Sequence, residues 1–379
     1  MTRILISAGE ASGDLHAAAV TAAIKKADPT AEVFGMGGDA LRGAGGEVIF
    51  DIKEHGVMGF VEVLKRLPAL FKLRRDFAAV IKERKPDCLL VVDYPGFNMK
   101  LAKLAHENGI PVISYIAPSA WAWHKGRAKS VAHIVDYVAC IFPFEYDVYK
   151  EAGAKAVFVG HPLLDIVKPS LTKEEAELWL GKKADGKLIV LLPGSRVMEI
   201  EKMLPVLLRS AELLQKKLPG VEFILPRAAT IPAEMLQKKI QDAEVDVRIV
   251  EGNRNYDLFR AADLALATSG TVTLEAALCG LGSVIVYRVS PVSAFIARRV
   301  LNIPNIGLPN IVAGRKIMPE LLQEDFTPEN VAAAAMELLE TQRHGRLQED
   351  LHKVKEMLGE PGAVNRVAEL VLRAAKEKR

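Results

Sequence analysis

One pattern constrains the fold more than any other: short apolar runs alternate with segments of helical periodicity along almost the whole chain. Strands separated by helices pair in parallel, since each helix carries the chain back to the starting edge of the sheet. In the first part of the chain the apolar runs predict strands at Ile4–Ser7, Glu32–Phe34, Val48–Phe50, Cys88–Asp93, Val112–Tyr115, Tyr137–Ile141 and Ala156–Val159. The sequence therefore predicts an α/β fold with parallel sheets.

A second series of strands and helices begins at "KLIVLLPGSR", after a polar stretch that is typical of an interdomain linker. A chain of 379 residues is long enough for two domains, each with its own core. We predict two Rossmann-like domains that face each other across a cleft, over residues 1–165 and 166–345. Helices over 346–379 are expected to pack back on the first domain or on a partner. The chemistry should lie in loops at the carboxyl ends of strands, where open α/β sheets bind ligands.

Composition excludes several classes of protein. Hydrophobic residues make up 50% and charged residues 26% of the chain, as in globular domains and unlike disordered ones. A net charge of +3 is too small to indicate nucleic acid as a partner. No apolar stretch approaches the roughly 18 residues of a membrane-spanning helix, and the first apolar run is too short for a signal peptide. The three cysteines form no C-x-x-C pair, which favours reduced, buried thiols in a cytosolic protein.

The clearest candidate for binding phosphate is the turn in "LIVLLPGSRVMEIEKMLP", between an apolar run and a helix. Gly194 permits a close approach of the backbone, and Ser195 offers a hydroxyl donor. Arg196 supplies a planar guanidinium that matches phosphate oxygens. The alternative is an ordinary turn with a solvated arginine.

A second candidate loop lies in "ALATSGTVTLEAALCG", again between a strand and a helix. Ser269, Gly270 and Thr271 form the turn, and a helix that begins there could hold a diphosphate with its free N–H groups. Thr273 follows in the first helical turn, and Glu275 has the reach to accept hydrogen bonds from ribose hydroxyls. A capping hydroxyl with a helical Glu partner would give a similar sequence, but two such loops in one domain favour the ligand.

Three carboxylates stand at the ends of strands in the first domain. Glu10 and Asp14 lie in "GEASGD", a turn of the kind that usually cradles phosphate, where acidic side chains are unexpected. Asp93 ends the strand in "LLVVDYPGFN", and apolar neighbours could raise its pKa toward that of a general base. A helix N-cap, for which Asp93 and Asn98 are both suited, is the equal alternative.

The segment "GMGGDA" matches the dinucleotide fingerprint G-x-G-x-x-A, but it follows the second strand, and its Asp39 stands where a pyrophosphate would lie. We therefore do not expect NAD or FAD. The eight histidines show no metal-ligand spacing, and no Ser-His-Asp signature is present.

Two further segments combine apolar and basic residues. Trp121, Trp123 and His124 lie in a loop that could face a sugar or an acyl chain, or could simply pack one domain on the other. Residues 57–75 include Met58 and Phe60 together with several Lys and Arg, a composition that suits contact with anionic lipid but is also common in core helices.

With these segments assembled, the chain resembles the family of lipid-A-disaccharide synthases, glycosyltransferase family 19. The matching segments are "SAGEASGDLH", "GMGG", "HGVMGFVEVL", "VVDYPGFN", "YIAPSAWAWHKGR", "FPFE", "FVGHPLLD", "LLPGSR", "ATSGTVTLE" and "LPNIVAG", in family order over nearly the whole chain. Ala17 departs from the pattern, in which Gly is expected after "GDLH".

The resemblance implies a GT-B fold and transfer from UDP-2,3-diacylglucosamine to 2,3-diacylglucosamine 1-phosphate, with a β-1,6 linkage, inversion and release of UDP. It implies no cofactor and no required metal. It also implies a peripheral enzyme at the inner face of the bacterial cytoplasmic membrane. A homodimer is possible, and no nucleic acid partner is expected.

The implied reaction, together with the positions of the candidate residues, suggests a role for each of them. Asp93 is expected to be the general base, with Glu10 and Asp14 as rivals or as groups that orient the acceptor. Arg196 and the helix start at Gly270 and Thr271 should stabilise the departing diphosphate. The remaining residues predicted to bind the UDP-sugar are Gly194, Ser195, Ser269, Thr273, Glu275 and Asn310, and those predicted to face the acceptor or membrane are Ser12, Met58, Phe60, Trp121, Trp123 and His124.

Two alternatives remain. One is another GT-B enzyme that uses UDP-N-acetylglucosamine, such as a peptidoglycan-type glycosyltransferase or a 2-epimerase. An epimerase would convert the UDP-sugar without an acceptor. A nucleotide-sugar-binding regulator at the membrane would bind UDP and form no product.

Overall fold

A computed structural model of the chain describes residues 1–55, 67–118, 125–183, 186–290, 304–343 and 345–377. The chain divides into two compact units. The first contains Met1–Pro162 and Gly359–Arg379, and the second contains Leu163–Leu358. Among the described residues, none of the helices is both long and apolar enough to cross a membrane.

The first unit is a parallel sheet of seven strands with the order β3-β2-β1-β4-β5-β6-β7. Its strands are β1 (Arg3–Ala8), β2 (Glu32–Gly37), β3 (Glu47–Asp51), β4 (Cys88–Val92), β5 (Val112–Tyr115), β6 (Tyr137–Cys140) and β7 (Ala156–Phe158). Its helices, in chain order before the crossing to the second unit, are α1 (Ala11–Ala27), α2 (Asp39–Gly43), α3 (Ile52–His55), α4 (Leu67–Arg84), α5 (Pro95–Glu107), α6 (Lys125–Ala132) and α7 (Pro143–Glu151).

The second unit is a sheet of six strands with the order β10-β9-β8-β11-β12-β13. Its strands are β8 (Leu188–Leu192), β9 (Glu222–Arg227), β10 (Val247–Glu251), β11 (Leu264–Thr268), β12 (Ser283–Tyr287) and β13 (Glu320–Leu322). Its helices are α8 (Leu163–Ile166), α9 (Lys173–Leu180), α10 (Val197–Lys217), α11 (Ala233–Gln241), α12 (Asn255–Ala261), α13 (Thr271–Leu278), α14 (Leu308–Ala313), α15 (Pro328–Arg343) and α16 (Arg346–Met357). The last helix of the chain, α17 (Ala363–Glu377), belongs to the first unit.

The central strands β4 and β8 are apolar at every position, because helices cover both faces of each sheet. In β8, Ile189 and Leu191 join one core cluster, while Leu188 and Val190 join the cluster on the opposite face. In the first unit Ile4, Leu5 and Ile6 of β1 are completely buried. The prediction of an α/β chain with two Rossmann-like domains is confirmed.

The C-terminal helices divide differently from the predicted segment 346–379. In α16, Leu347 and Leu351 are buried in the core of the second unit, so the second unit extends past residue 345. The final helix α17 packs against α1, β4 and β5 of the first unit. The guanidinium of Arg366 donates to the carbonyl oxygen of Val159 at 2.8 Å. The apolar face of α16 packs against α13, α14 and α15 of the second unit, whereas that of α17 packs against the first unit.

Candidate functional site

A cavity of about 430 Å³ lies at the carboxyl ends of β8 and β11 in the second unit. Seven of the nine residues that the sequence predicts to bind a UDP-sugar line this cavity: Gly194, Ser195, Arg196, Ser269, Gly270, Thr271 and Glu275. Since β8 and β11 are adjacent and parallel, their following loops meet at one edge of the sheet. The two candidate loops therefore form a single site.

The start of α13 opens into this cavity. Gly270 is the N-cap residue and no side chain caps the first turn. A Cβ atom at Gly270 would meet nothing within 4 Å, so the space in front of the helix is open. An uncapped helix start presents free N–H groups and the positive end of the helix dipole. This part of the cavity is suited to an anion.

Thr273 and Asn310, which the sequence also predicts to bind the UDP-sugar, do not line this cavity. Both are fully buried, and the Thr273 hydroxyl donates to the Gly270 carbonyl oxygen at 2.8 Å. The Asn310 amide nitrogen donates to Met318 O and Glu320 Oε1, while its amide oxygen accepts from the N–H groups of Ile317 and Met318. These four bonds use the hydrogen-bonding capacity of the amide, so Asn310 supports the loop around α14 and does not face the cavity.

The turn before α10 is organised by Glu199, a residue that the sequence reasoning missed. Its Oε2 accepts from the N–H groups of Ser195 at 2.9 Å and Arg196 at 3.3 Å. Gly194 has φ 114°, and a Cβ atom there would lie 2.4 Å from the same oxygen. The signal in the sequence was the spacing of a capping box, in which the third helical residue is Glu.

Arg196 extends from this turn with a side chain that is 70% exposed. Its Nη1 lies 3.5 Å from Glu199 Oε1. On the other side of the turn, the Thr230 hydroxyl donates to Ser195 O at 2.6 Å. Glu199 and Thr230 thus hold the turn from two sides, and the exposed guanidinium of Arg196 is its cationic part.

A second cavity of about 360 Å³ adjoins the first, and Asn255 and Glu275 line both. Its wall is the loop that follows β10, together with Lys168 and Ser170. Burial raises the pKa of the Glu275 carboxyl above its ordinary value. Among the described residues, Asn255 Oδ1 and Thr268 Oγ1 are buried without a hydrogen-bond partner. The two cavities together could accept an elongated ligand with polar groups.

In the first unit, the loop after β4 has a strained backbone. Asp93 and Tyr94 have φ 49° and 50°, in the left-handed region that non-glycine residues rarely adopt. Asn98 holds this loop, because its amide nitrogen donates to Ser7 O, Val92 O and Asp93 O. The Ser7 hydroxyl donates to the Asn98 amide oxygen at 2.6 Å. Such strain is typical of functional sites, where surrounding contacts over-determine the backbone.

Asp93 is a half-buried carboxylate at the carboxyl end of β4. Burial raises its pKa, and the N–H of Tyr94 and the charge of His16 oppose that rise. The backbone N–H of Asp93 donates to Tyr115 O at 3.1 Å, and the His16 ring packs edge-on against the Tyr115 ring, with 6.1 Å between centroids.

Tyr94, not Asp93, is the N-cap residue of α5, and no side chain caps that helix. The N-cap alternative for Asp93 is therefore excluded.

The acidic residues of the first turn have different surroundings. Glu10 is the half-buried N-cap residue of α1, and Ser12 is exposed. Asp14 is 5% exposed, and its carboxylate accepts from the N–H groups of Gly38 at 2.6 Å, Ala40 at 3.0 Å and Leu41 at 3.2 Å. Asp14 therefore anchors the segment 38–41, and three of the roughly four acceptor positions of its carboxylate are used by the backbone. Its predicted role toward the acceptor stays a prediction.

The same contacts explain the dinucleotide-like segment "GMGGDA". The N–H groups that would bind a pyrophosphate there are occupied by the Asp14 carboxylate. A Cβ atom at Gly38 would lie 2.8 Å from Asp14 Oδ2. The glycine is therefore needed to admit an internal anion.

Five predicted residues lie outside the described part of the chain: Met58, Phe60, Trp121, Trp123 and His124. Their expected contacts with acceptor or membrane stay predictions. Within the described ranges, no group of three or more His, Cys, Asp or Glu is arranged to hold a metal ion.

Comparison with known proteins gives one consistent family. The family described as lipid-A-disaccharide synthetase matches residues 4–374. The lipid-A-disaccharide synthase of Trichlorobacter lovleyi is 41% identical over 371 residues, which is 98% of this chain and 97% of that protein. The enzyme of the same name from Geobacter metallireducens is 40% identical over 378 residues, which is 100% of this chain and 98% of that protein.

Solved structures with the same fold are more distant in sequence. A UDP-GlcNAc 2-epimerase from Neisseria meningitidis, bound to UDP-GlcNAc, has a TM-score of 0.66 at 16% identity and covers 98% of this chain and 100% of its own. MurG of Acinetobacter baumannii has a TM-score of 0.60 at 18% identity, with the same coverage. At such identities the likeness shows the fold alone.

Proposed function

The chain belongs to the lipid-A-disaccharide synthase family of glycosyltransferases, and from that membership we propose its reaction. It joins UDP-2,3-diacylglucosamine to 2,3-diacylglucosamine 1-phosphate, forms a β-1,6 linkage with inversion, and releases UDP. The observation that carries this proposal is the convergence of both candidate loops of the second unit on one cavity with an uncapped helix start.

We propose that the donor binds in the two adjoining cavities of the second unit. Its diphosphate lies at the start of α13, where the free N–H groups and the guanidinium of Arg196 offer positive charge. Glu275 stands where the two cavities join and accepts hydrogen bonds from ribose hydroxyls. The nucleoside extends toward the loop after β10.

We propose that Asp93 is the general base. Its carboxylate accepts the proton of the acceptor 6-hydroxyl while that oxygen attacks the anomeric carbon of the donor. The bond from this carbon to the diphosphate breaks, and the electron pair leaves with UDP. Arg196 and the α13 start stabilise the charge that develops on the leaving group. Glu10, near the same strand edge, orients acceptor hydroxyls.

The experiment that tests the reaction combines the purified protein with both acylated substrates and looks for the disaccharide 1-phosphate by mass spectrometry. The control without acceptor separates the two alternatives. Conversion of UDP-N-acetylglucosamine by the protein alone would indicate an epimerase. Binding of UDP without any disaccharide would indicate a binding protein, and either result would contradict the proposal.

Replacement of Arg196 by Ala is expected to weaken UDP binding by about tenfold to a hundredfold, the usual worth of a hydrogen bond to a charged group. Isothermal titration with UDP measures the change. Lys202→Ala is the matched control, because Lys202 is an exposed cation on the same helix that does not line the cavity. Equal affinities of wild type and Arg196→Ala would remove Arg196 from the donor site.

We also propose that the protein rests on the inner face of the cytoplasmic membrane, since both substrates carry acyl chains. The Phe71 side chain of α4 is 62% exposed, and Lys72, Arg74 and Arg75 are exposed beside it. An apolar anchor among cations suits an anionic lipid surface. Phe71→Ser is expected to reduce cosedimentation with phosphatidylglycerol vesicles, while Leu178→Ser, at an exposed leucine of α9, leaves it unchanged. Equal loss in both variants would contradict this placement.

A further inference from the structure

The Glu199 carboxylate occupies the backbone position that a phosphate would otherwise take in the 194–196 turn. Its Oε2 accepts from the N–H groups of both Ser195 and Arg196, and its side chain is only 18% exposed. Glu199 itself lines the cavity of about 430 Å³. The close approach of Oε2 to Gly194 shows that the glycine of this turn admits Glu199. A diphosphate in the cavity therefore meets Arg196 and the α13 start, beside a fixed negative charge.

The negative charge of Glu199 acts electrostatically on Tyr287, another residue of the cavity lining. Tyr287 lies at the end of β12 and lines the same cavity. Burial raises the pKa of the Tyr287 hydroxyl, the Glu199 charge adds to that rise, and the Arg196 charge opposes it. Glu199 and Arg196 thus act on the same space with opposite signs.

We propose that Glu199 is a positioning residue with two opposed effects on the UDP product. It fixes the turn that directs Arg196 toward the diphosphate, and its negative charge limits the affinity for that diphosphate so that UDP is released. This inference rests on the proposed function, because it assumes that UDP binds in this cavity.

Two substitutions separate the effects. In Glu199→Gln the amide oxygen still accepts from both N–H groups, but the negative charge is gone. We expect UDP to bind about threefold to tenfold more tightly, as expected for removal of one like charge several ångströms away in a partly solvated site. In Glu199→Ala both N–H groups lose their acceptor, and we expect UDP to bind about tenfold or more weakly because the turn no longer holds Arg196.

Uridine provides the matched ligand control. It carries no phosphate, so its affinity should be the same in wild type and Glu199→Gln if the charge of Glu199 acts on the diphosphate. Thr230→Val removes the hydroxyl that holds Ser195 O without a change of charge. It should weaken UDP binding in the same direction as Glu199→Ala, and it tests the positioning effect if Glu199→Ala does not fold.

Titration calorimetry with UDP and with uridine, on full-length variants, distinguishes the outcomes. We expect Glu199→Gln to bind UDP more tightly than wild type and to bind uridine with unchanged affinity. We expect Glu199→Ala or Thr230→Val to bind UDP more weakly than wild type. The inference would be overturned if Glu199→Gln bound UDP more weakly, or if Glu199→Ala and Thr230→Val bound UDP with unchanged affinity. Neither result would contradict the proposed function. If wild type does not bind UDP, the proposed function itself fails.

Discussion

Asn in place of Asp93 is expected to lower kcat by about 10²–10⁴-fold, the usual contribution of a general acid or base. Asn is the appropriate substitution because it tolerates the left-handed backbone of this position, where φ is 49°. It keeps the size and polarity of the side chain and cannot accept the proton. Steady-state kinetics with both acylated substrates measures the loss.

UDP affinity should not change in Asp93→Asn, since Asp93 lies in the first unit and the proposed UDP site lies in the second. Asp76→Asn, at a half-buried aspartate of α4 in the same unit, is the control for a general effect of losing a carboxylate. Wild-type turnover in Asp93→Asn would show that another group accepts the proton, and Glu10 would then be the next candidate.

Although Asp93→Asn should lower kcat, it should raise the stability of the folded chain. Because burial raises the pKa of Asp93 in the folded chain, the ionised carboxylate costs stability once the pH rises through that pKa. At neutral pH Asp93→Asn is therefore expected to unfold at a higher temperature than wild type. The difference should vanish below the ordinary pKa of aspartate, where the group is protonated in both states.

The pH dependence of the wild-type rate follows from the same shift. A base must be ionised, so the rate should fall on the acid side at a pH above the ordinary pKa of aspartate, about 3.9. A profile of kcat/KM against pH locates this limb. Its persistence in Asp93→Asn, scaled down uniformly, would assign the limb to a different group.

Replacement of Asp14 by Ala is expected to reduce the free energy of unfolding by about 3–5 kcal/mol, because hydrogen bonds to a charged group contribute about 1.5–3 kcal/mol each and are not fully additive. Three backbone N–H groups, of Gly38, Ala40 and Leu41, lose their acceptor inside the first unit. Urea denaturation followed by circular dichroism measures the difference.

The control for Asp14 is Asp39→Ala, at a neighbouring carboxylate whose side chain is 71% exposed and paired with Arg42 and Lys53. Exposed ion pairs contribute about 0–1 kcal/mol, so this variant should remain close to wild type. If Asp14→Ala is as stable as Asp39→Ala, the carboxylate does not hold the segment 38–41, and a role toward the acceptor would again be open.

The acidic residues of the "GEASGD" turn illustrate what sequence reasoning could reach. That turn has the spacing of an anion site, and the sequence predicts that Asp14 faces an acceptor hydroxyl. In the structure, the Asp14 carboxylate accepts hydrogen bonds from backbone N–H groups of the segment 38–41. The Glu199 carboxylate accepts from backbone N–H groups of the turn before α10. In both units, glycines that resemble a phosphate signature admit a carboxylate of the same chain. A glycine pattern indicates that an anion comes close to the backbone. It does not show whether that anion is a ligand phosphate or a carboxylate of the chain.

Local pattern alone determined the α/β class, the positions of all strands except β13, the two Rossmann-like units and the family. Apolar periodicity and contiguous motifs are properties of neighbouring residues. It also identified seven residues that line one cavity of the second unit, since loops after adjacent parallel strands must meet at one sheet edge. Only the tertiary structure showed that Asp14, Thr273 and Asn310 form hydrogen bonds within the chain, and that Glu199 lines the cavity. A polar side chain is available to a ligand only if no other part of the chain has satisfied its hydrogen bonds, and those partners lie at distances that sequence spacing does not encode.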